Sequence, residues 1–299
     1  MPSWADFQPY IVTGLALGGI YALSGVGLVV LYRATGVLNL AFGAVGAMGA
    51  FIAYSIIKAG NPDWVGWIAC ILFAGVVTLV YGLVFGPALA GRGPLVQAVS
   101  TLGLALILFG AIDLLWPTTG GQSPSISFPT DSSTVFTFSQ LSVSWTQLIA
   151  LLLGIVIAAG TGAFLRFSKL GTAMRAMAND REITATLGVP VRRVEAAAWL
   201  GCGLLAGLAG IMLADMSALD DTTLVFTVVI SSLAAALIGQ LRSIPVTFAA
   251  ALVIGVVHDL LTPITQVQPY QDMTPFVLAV IALLVMSRGA VMTRSREEG

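Results

Sequence analysis

Few side chains in this 299-residue chain could make or break a bond. The single histidine, His258, stands beside Asp259, and such a pair could relay a proton. Both fall near the end of an apolar run, where water makes charge cheap, and no carboxylate falls near the middle of such a run. That placement argues against proton-driven carriage. Cys70 and Cys202 lie far apart, each among apolar residues, and read as small buried hydrophobes. One histidine and two separated cysteines cannot furnish the ligands of a zinc site, so no metal site is expected. No nucleophile stands beside a base in sequence. The phosphate-cradling Gly-x-x-x-x-Gly-Lys-Ser/Thr is missing too, with lysine only at Lys58 and Lys169. Catalysis by this chain is not expected.

A different class of residue carries more information. A polar side chain set in an apolar run is costly in hydrocarbon and normally faces a partner or a cavity. Asn39, Ser231 and Ser232, with Gln240 close behind, are the candidates for a solute path. Asn39 could contact a solute or tie two helices together by hydrogen bonds. The two serines could equally bond back to their own helix.

The elements that must position these residues follow from composition. Apolar residues make up 58% of the chain and charged ones 9%, against about 25% charged in a soluble domain. With a mean hydropathy of +0.97, there is too little polar surface to cover a globule in water. A net charge of -1 excludes a basic face for nucleic acid. Runs long enough for a bilayer crossing, roughly 20 residues each, fall at 10–31, 36–57, 64–85, 95–116, 145–167, 191–214, 223–241, 245–261 and 273–287. The second and seventh are rich in glycine or polar residues and could be broken or re-entrant. The first ten residues lack the basic region of a cleavable signal, so the first span is expected to remain. With the N-terminus outside, twelve of the thirteen basic residues fall on the cytoplasmic side, and only Lys58 falls outside. The expected fold is all-α: one polytopic bundle over 1–299 with about nine spans, N-terminus out and C-terminus in. Gly14/Gly18, Gly82/Gly86 and Gly203/Gly207 have the spacing that lets helix backbones approach closely.

Two segments lie outside the spans. The extracytoplasmic one, 117–144, is rich in Ser, Thr, Pro and Gly and could be a lid, a docking surface or a connector. The cytoplasmic one, 168–190, contains Asn179-Asp180-Arg181-Glu182, a helix start in which Asn179 caps and Glu182 reaches back. Gly188 supplies a left-handed stop and Pro190 starts the next helix. The expected short helix over 180–187 presents Ile183 and Leu187, with Arg181 and Thr184 nearby, to a protein groove. The basic residues around it would also suit anionic lipid.

The run from Gly171 to Glu182, then Leu187-Gly188-Val189 and Arg193-Val194, resembles the coupling loop of the branched-chain amino acid ABC transporter permeases of LivH/LivM type. The runs from Gly14 to Leu23 and Gly36 to Gly43 resemble the LivH side, and Leu205 to Gly210 and Ser243-Ile244-Pro245 also match. The resemblance implies a bacterial inner-membrane permease subunit that binds no cofactor itself and uses ATP and Mg on partner ATPase subunits. Asn179, Asp180, Arg181, Glu182, Thr184, Leu187 and Gly188 would couple to those ATPases. A second, LivM-like permease, an extracytoplasmic solute-binding protein and membrane lipid are the further expected partners. The expected small-molecule solute is a branched-chain or other hydrophobic amino acid. The family often sets a histidine before and an acid after the glycine that follows Asn39; here Phe42 and Ala44 stand there, which adds Phe42 to the path candidates. Urea or short amides, carried by the same type of importer, or an ion-coupled carrier are the alternatives.

Overall fold

The computed structural model describes residues 4–89, 91–117, 134–138, 141–216, 221–264 and 266–297. Among the described residues, nine apolar helices form the bundle: α1 (Trp4–Thr35), α2 (Phe42–Lys58), α3 (Asp63–Leu89), α4 (Pro94–Leu115), α5 (Trp145–Phe167), α8 (Val191–Met216), α9 (Asp221–Ile238), α10 (Ile244–Leu260) and α11 (Thr274–Glu297). Between α5 and α8 lie two short helices, α6 (Lys169–Asn179) and α7 (Arg181–Thr186). Five of the nine are long and apolar enough to cross a membrane, and the other four have shorter apolar stretches. The all-helical reading of the spans holds. Outside them the structure adds one antiparallel hairpin, β1 (Thr134–Phe138) with β2 (Leu141–Ser144), inside the segment expected as loop. The rest of that segment, 118–133 and 139–140, lies outside the described residues.

α1 sits in the middle, 83% of its best apolar window buried, and packs on α10, α5, α8 and α9. α3, α4 and α5 stand at the periphery with only 28%, 22% and 22% of theirs buried. Apolar residues exposed on those outer helices, such as Leu72, Leu106 and Val156, suit contact with lipid tails. Lipid gives no hydrophobic drive between helices, so the contacts depend on close van der Waals fit. Glycines supply it. Gly14 and Gly18 of α1 abut the backbone of α10, where Gly255 faces back onto Gly14 and Gly18. Gly203 and Gly207 of α8 abut α3 at Ala74 and Cys70, and Gly46 of α2 meets Gly210 of α8 backbone to backbone. The third expected pair divides: Gly82 holds the Trp199 ring, while Gly86 faces open space.

The second span is shorter than its sequence suggested. Gly36, in the left-handed region at φ 74°, ends α1, and the chain runs on without helix to Ala41 before α2 begins at Phe42. The 17 residues of α2 span about 25 Å, less than the roughly 30 Å of hydrocarbon. Irregular backbone at that depth is tolerated only inside protein, and Asn39 and Ala41 are indeed buried.

Because Gly210 has no room for a methyl group against Gly46, Gly210→Ala is expected to cost about 2 kcal/mol. Gly110 of α4 has open space around it, so Gly110→Ala should leave stability unchanged or slightly raised. Thermal unfolding of the two purified variants in detergent reads the difference; equal midpoints would contradict backbone contact at Gly210.

Candidate functional site

Two regions hold the residues singled out in sequence. The first is the segment between α5 and α8. Ser168 leaves the helical region at φ -86°, ψ 151°, ending α5 and capping α6, where its Oγ accepts from the Gly171 amide at 2.8 Å. α6 is strongly amphipathic and buries Gly171, Met174 and Met177 against the bundle. Gly171 lies against the backbone of Leu165, with no space for a side chain.

The cap of α7 differs by one residue from the expectation. Asn179 still belongs to α6, so its backbone is helical; Asp180, extended at φ -154°, ψ 113°, is the cap, and its Oδ1 accepts from the Ile183 amide at 2.9 Å. Asn179 and Glu182 are exposed beside it and do not form the expected capping pair. Thr184 is buried, and its hydroxyl donates to the Asp180 carbonyl. Arg181 turns toward α8: its Nε lies 3.0 Å and its Nη2 2.6 Å from Glu195 Oε1. Such a half-exposed pair is worth at most about 1 kcal/mol, so it orients α7 more than it stabilises the chain. Gly188, at φ 83°, ends the turn as expected. Among the polar residues that α7 and its C-cap expose, two large apolar side chains stand out to solvent: Ile183 is 60% exposed and Leu187 77%.

The second region is intramembrane. Asn39 lies in the loop before α2, buried, and both halves of its amide are engaged. Oδ1 accepts from the Ala41 amide at 3.1 Å, and Nδ2 lies 3.6 Å from Cys202 Sγ on α8. Thr101 of α4 holds the same loop from the other side: its hydroxyl reaches the Leu38 carbonyl at 3.0 Å and accepts from the Leu40 amide at 3.1 Å. Phe42 is fully buried and lines a small apolar void between α2, α8 and α9 with Gly46, Gly210 and Val228. Ser231 and Ser232 are buried in α9; Ser232 bonds back to the Val229 carbonyl at 3.1 Å, as serine in a helix commonly does.

Gln240 lies beyond the end of α9, exposed, in the turn to α10. The Leu241 amide reaches the Ala236 carbonyl and the Gln240 amide the Leu237 carbonyl, both at 2.8 Å, the paired bonds of a Schellman ending. That ending puts Gln240 at φ 54°, where glycine is the usual occupant.

Sequence reasoning missed Tyr21. Its hydroxyl and that of Ser231 are fully buried neighbours between α1 and α9, close enough to pair with one another, and neither has another partner among the described residues. An unsatisfied buried hydroxyl costs about 1–3 kcal/mol. A lone tyrosine in an apolar run has no periodic signal. At the end of the bundle away from α7, His258 lies between two carboxylates, with Nδ1 3.2 Å from Asp259 Oδ1 and Nε2 3.4 Å from Asp272 Oδ1. This set joins the end of α10 to the 3-10 turn at Gln268–Met273.

The chain's similarities extend over almost its whole length. The family described as branched-chain amino acid transport system / permease component matches residues 10–286. The high-affinity branched-chain amino acid transport system permease protein LivH of Salmonella typhimurium is 26% identical over 299 residues, 95% of this chain and 94% of that one. The corresponding BraD protein of Pseudomonas aeruginosa is 27% identical over 304 residues, 97% of each chain. A probable LivH of Methanocaldococcus jannaschii is 27% identical over 250 residues, 81% of this chain and 77% of that one.

Proposed function

The chain belongs to the family of branched-chain amino acid transport permease components, and on that premise we propose that it forms one permease half of an ATP-driven importer. It is a multi-pass membrane protein, not an enzyme; ATP is bound with Mg and hydrolysed on partner ATPase subunits. The reading rests chiefly on one observation: a short capped helix, α7, offers Ile183 and Leu187 to solvent as an apolar knob. Exposed apolar residues rimmed by polar ones are what a protein groove takes up. The expected orientation, N-terminus out and C-terminus in, is supported by the meeting of Arg33, Arg166, Arg175, Arg181 and Arg242 at the end that carries α6 and α7.

The route from α7 into the membrane is short. A groove closing on Ile183 and Leu187 would move α7, which is tied to α8 through Arg181–Glu195 and the turn at Gly188. α8 in turn touches the Asn39 loop through Cys202 and α2 through Gly210. α2 and α9 would shift relative to α1, where the hydroxyls of Tyr21 and Ser231, with no partner but each other among the described residues, can turn to a polar solute. We place the solute path along that seam, with Phe42 on its apolar side. The solute is a branched-chain or other hydrophobic amino acid, delivered by an extracytoplasmic binding protein. A second, LivM-like permease supplies the other wall.

Two variants test this. Leu187→Asp, at an exposed position, should leave the chain's unfolding midpoint unchanged and weaken ATPase association on the order of tenfold or more, with loss of solute-stimulated ATP hydrolysis in proteoliposomes. Full transport by that variant, or uptake that continues without ATP but collapses with an uncoupler, would overturn the importer reading. Tyr21→Phe removes a buried hydroxyl without opening a cavity, so stability should change by about 1 kcal/mol or less while uptake falls. Unchanged uptake would remove Tyr21 from the path.

A further inference from the structure

A cavity of about 560 Å3 opens where the inner ends of α1 and α5 meet α6 and the start of α10. Four guanidinium groups border it, from Arg33, Arg166, Arg175 and Arg242, and no carboxylate is among its described lining residues. The chain supplies these groups with few acceptors. Arg33 Nη1 reaches only the Arg242 carbonyl at 3.3 Å, and Arg175 Nη2 reaches the Arg166 carbonyl and Thr172 Oγ1, each at 3.3 Å. The Nε of Arg175 is buried and unpartnered, and Arg175 and Arg33 repel one another. Each guanidinium carries five N–H donors, so most of the donors here have no acceptor among the described residues. The capped start of α10 at Ser243, also in the lining, adds the positive end of a helix dipole.

We propose that this cavity binds the phosphate group of an anionic phospholipid in the cytoplasmic leaflet. Guanidinium is the group best matched to phosphate by paired hydrogen bonds. The rim identifies the source as lipid and not phosphate from solution. Phe167, which also borders the cavity, is 79% exposed with the Arg166 guanidinium over its ring, and the peripheral helix α5 runs from it into the membrane. A headgroup seated among the arginines would thus lay its acyl chains along α5. The site lies among α1, α5, α6 and α10; the neighbouring cavity shares Arg33 and Arg242 with it but reaches α7 through Asn179 and Arg181. It rests on the membrane placement and orientation of the chain and not on the ATPase coupling of α7.

The test uses the full chain, purified in mild detergent and delipidated, then titrated with phosphatidylglycerol, with phosphatidylcholine of the same acyl chains and with inorganic phosphate. Native mass spectrometry reads retention. Arg166→Gln/Arg242→Gln is compared with Arg192→Gln/Arg193→Gln, which removes the same charge at exposed positions outside the cavity. The expected result is one retained phosphatidylglycerol in the wild type and the second variant. The cavity variant should bind it about tenfold or more weakly, and phosphatidylcholine should be lost from all. Equal weakening in both variants, equal retention of phosphatidylcholine, or displacement of the lipid by millimolar phosphate would overturn the proposal. So would a cavity variant that keeps the lipid but loses a partner protein.

Discussion

Backbone-to-backbone contact at glycines is the interaction on which the bundle depends. Leucine is no better solvated by another leucine than by a lipid tail, so the helices are held by how closely they approach. Gly14 and Gly18 against Gly255, Gly19 against Gly154, and Gly46 against Gly210 remove the side-chain layer at three separate crossings. Two of those crossings lie on α1, which explains why the first helix is the most enclosed. The arrangement leaves few polar ties across the interior, so helices can slide along such seams without breaking hydrogen bonds.

Some polar ties join helix to helix, as Thr146 on α5 donates to Asp215 on α8 and Tyr81 on α3 pairs with Ser100 on α4, and one group is placed where the backbone is irregular. Asn39, Thr101 and Cys202 satisfy the loop before α2 at a depth where no water can. α8 is therefore in contact with the one segment of α1–α2 that is neither helix nor solvent-exposed. It is also the helix that receives Arg181 from α7. In the proposed importer, this makes α8 the lever between an ATPase groove and the membrane interior, and it gives Asn39 a mechanical role beside any contact with solute.

How much could be read in advance depended on the kind of signal. The fifth span was legible to the residue, because Trp145–Phe167 is bounded by a Ser144–Gln147 capping box and by Ser168. Hydropathy starts the second six residues too early, at Gly36 where α2 begins at Phe42. Val37, Leu38 and Leu40 are apolar, and hydropathy cannot register a backbone break whose amides are satisfied from distant helices. α6 was passed over because its polar face resembled a loop; its buried stripe of Gly171, Met174 and Met177 was the missed sign. Asn179 and Asp180 are both good caps by type, and only the closing of α6 at Asn179 decides between them. Gly14/Gly18 and Gly203/Gly207 were legible from spacing, but the Gly46–Gly210 contact joins positions 164 apart, and the arginine cavity gathers residues from four segments. Neither has a local pattern.

In the proposed importer this chain works only as the membrane half of a larger ATP-driven assembly, engaged through α7. The most direct measurement is purification of the tagged chain from its native membrane in mild detergent, with identification of every protein that accompanies it. Two ATPase subunits and a second permease are expected in stoichiometric amounts, with the ATPases cross-linking to a cysteine introduced at Leu187. A chain that purifies alone or only with itself, and that still catalyses uptake in liposomes, would contradict it.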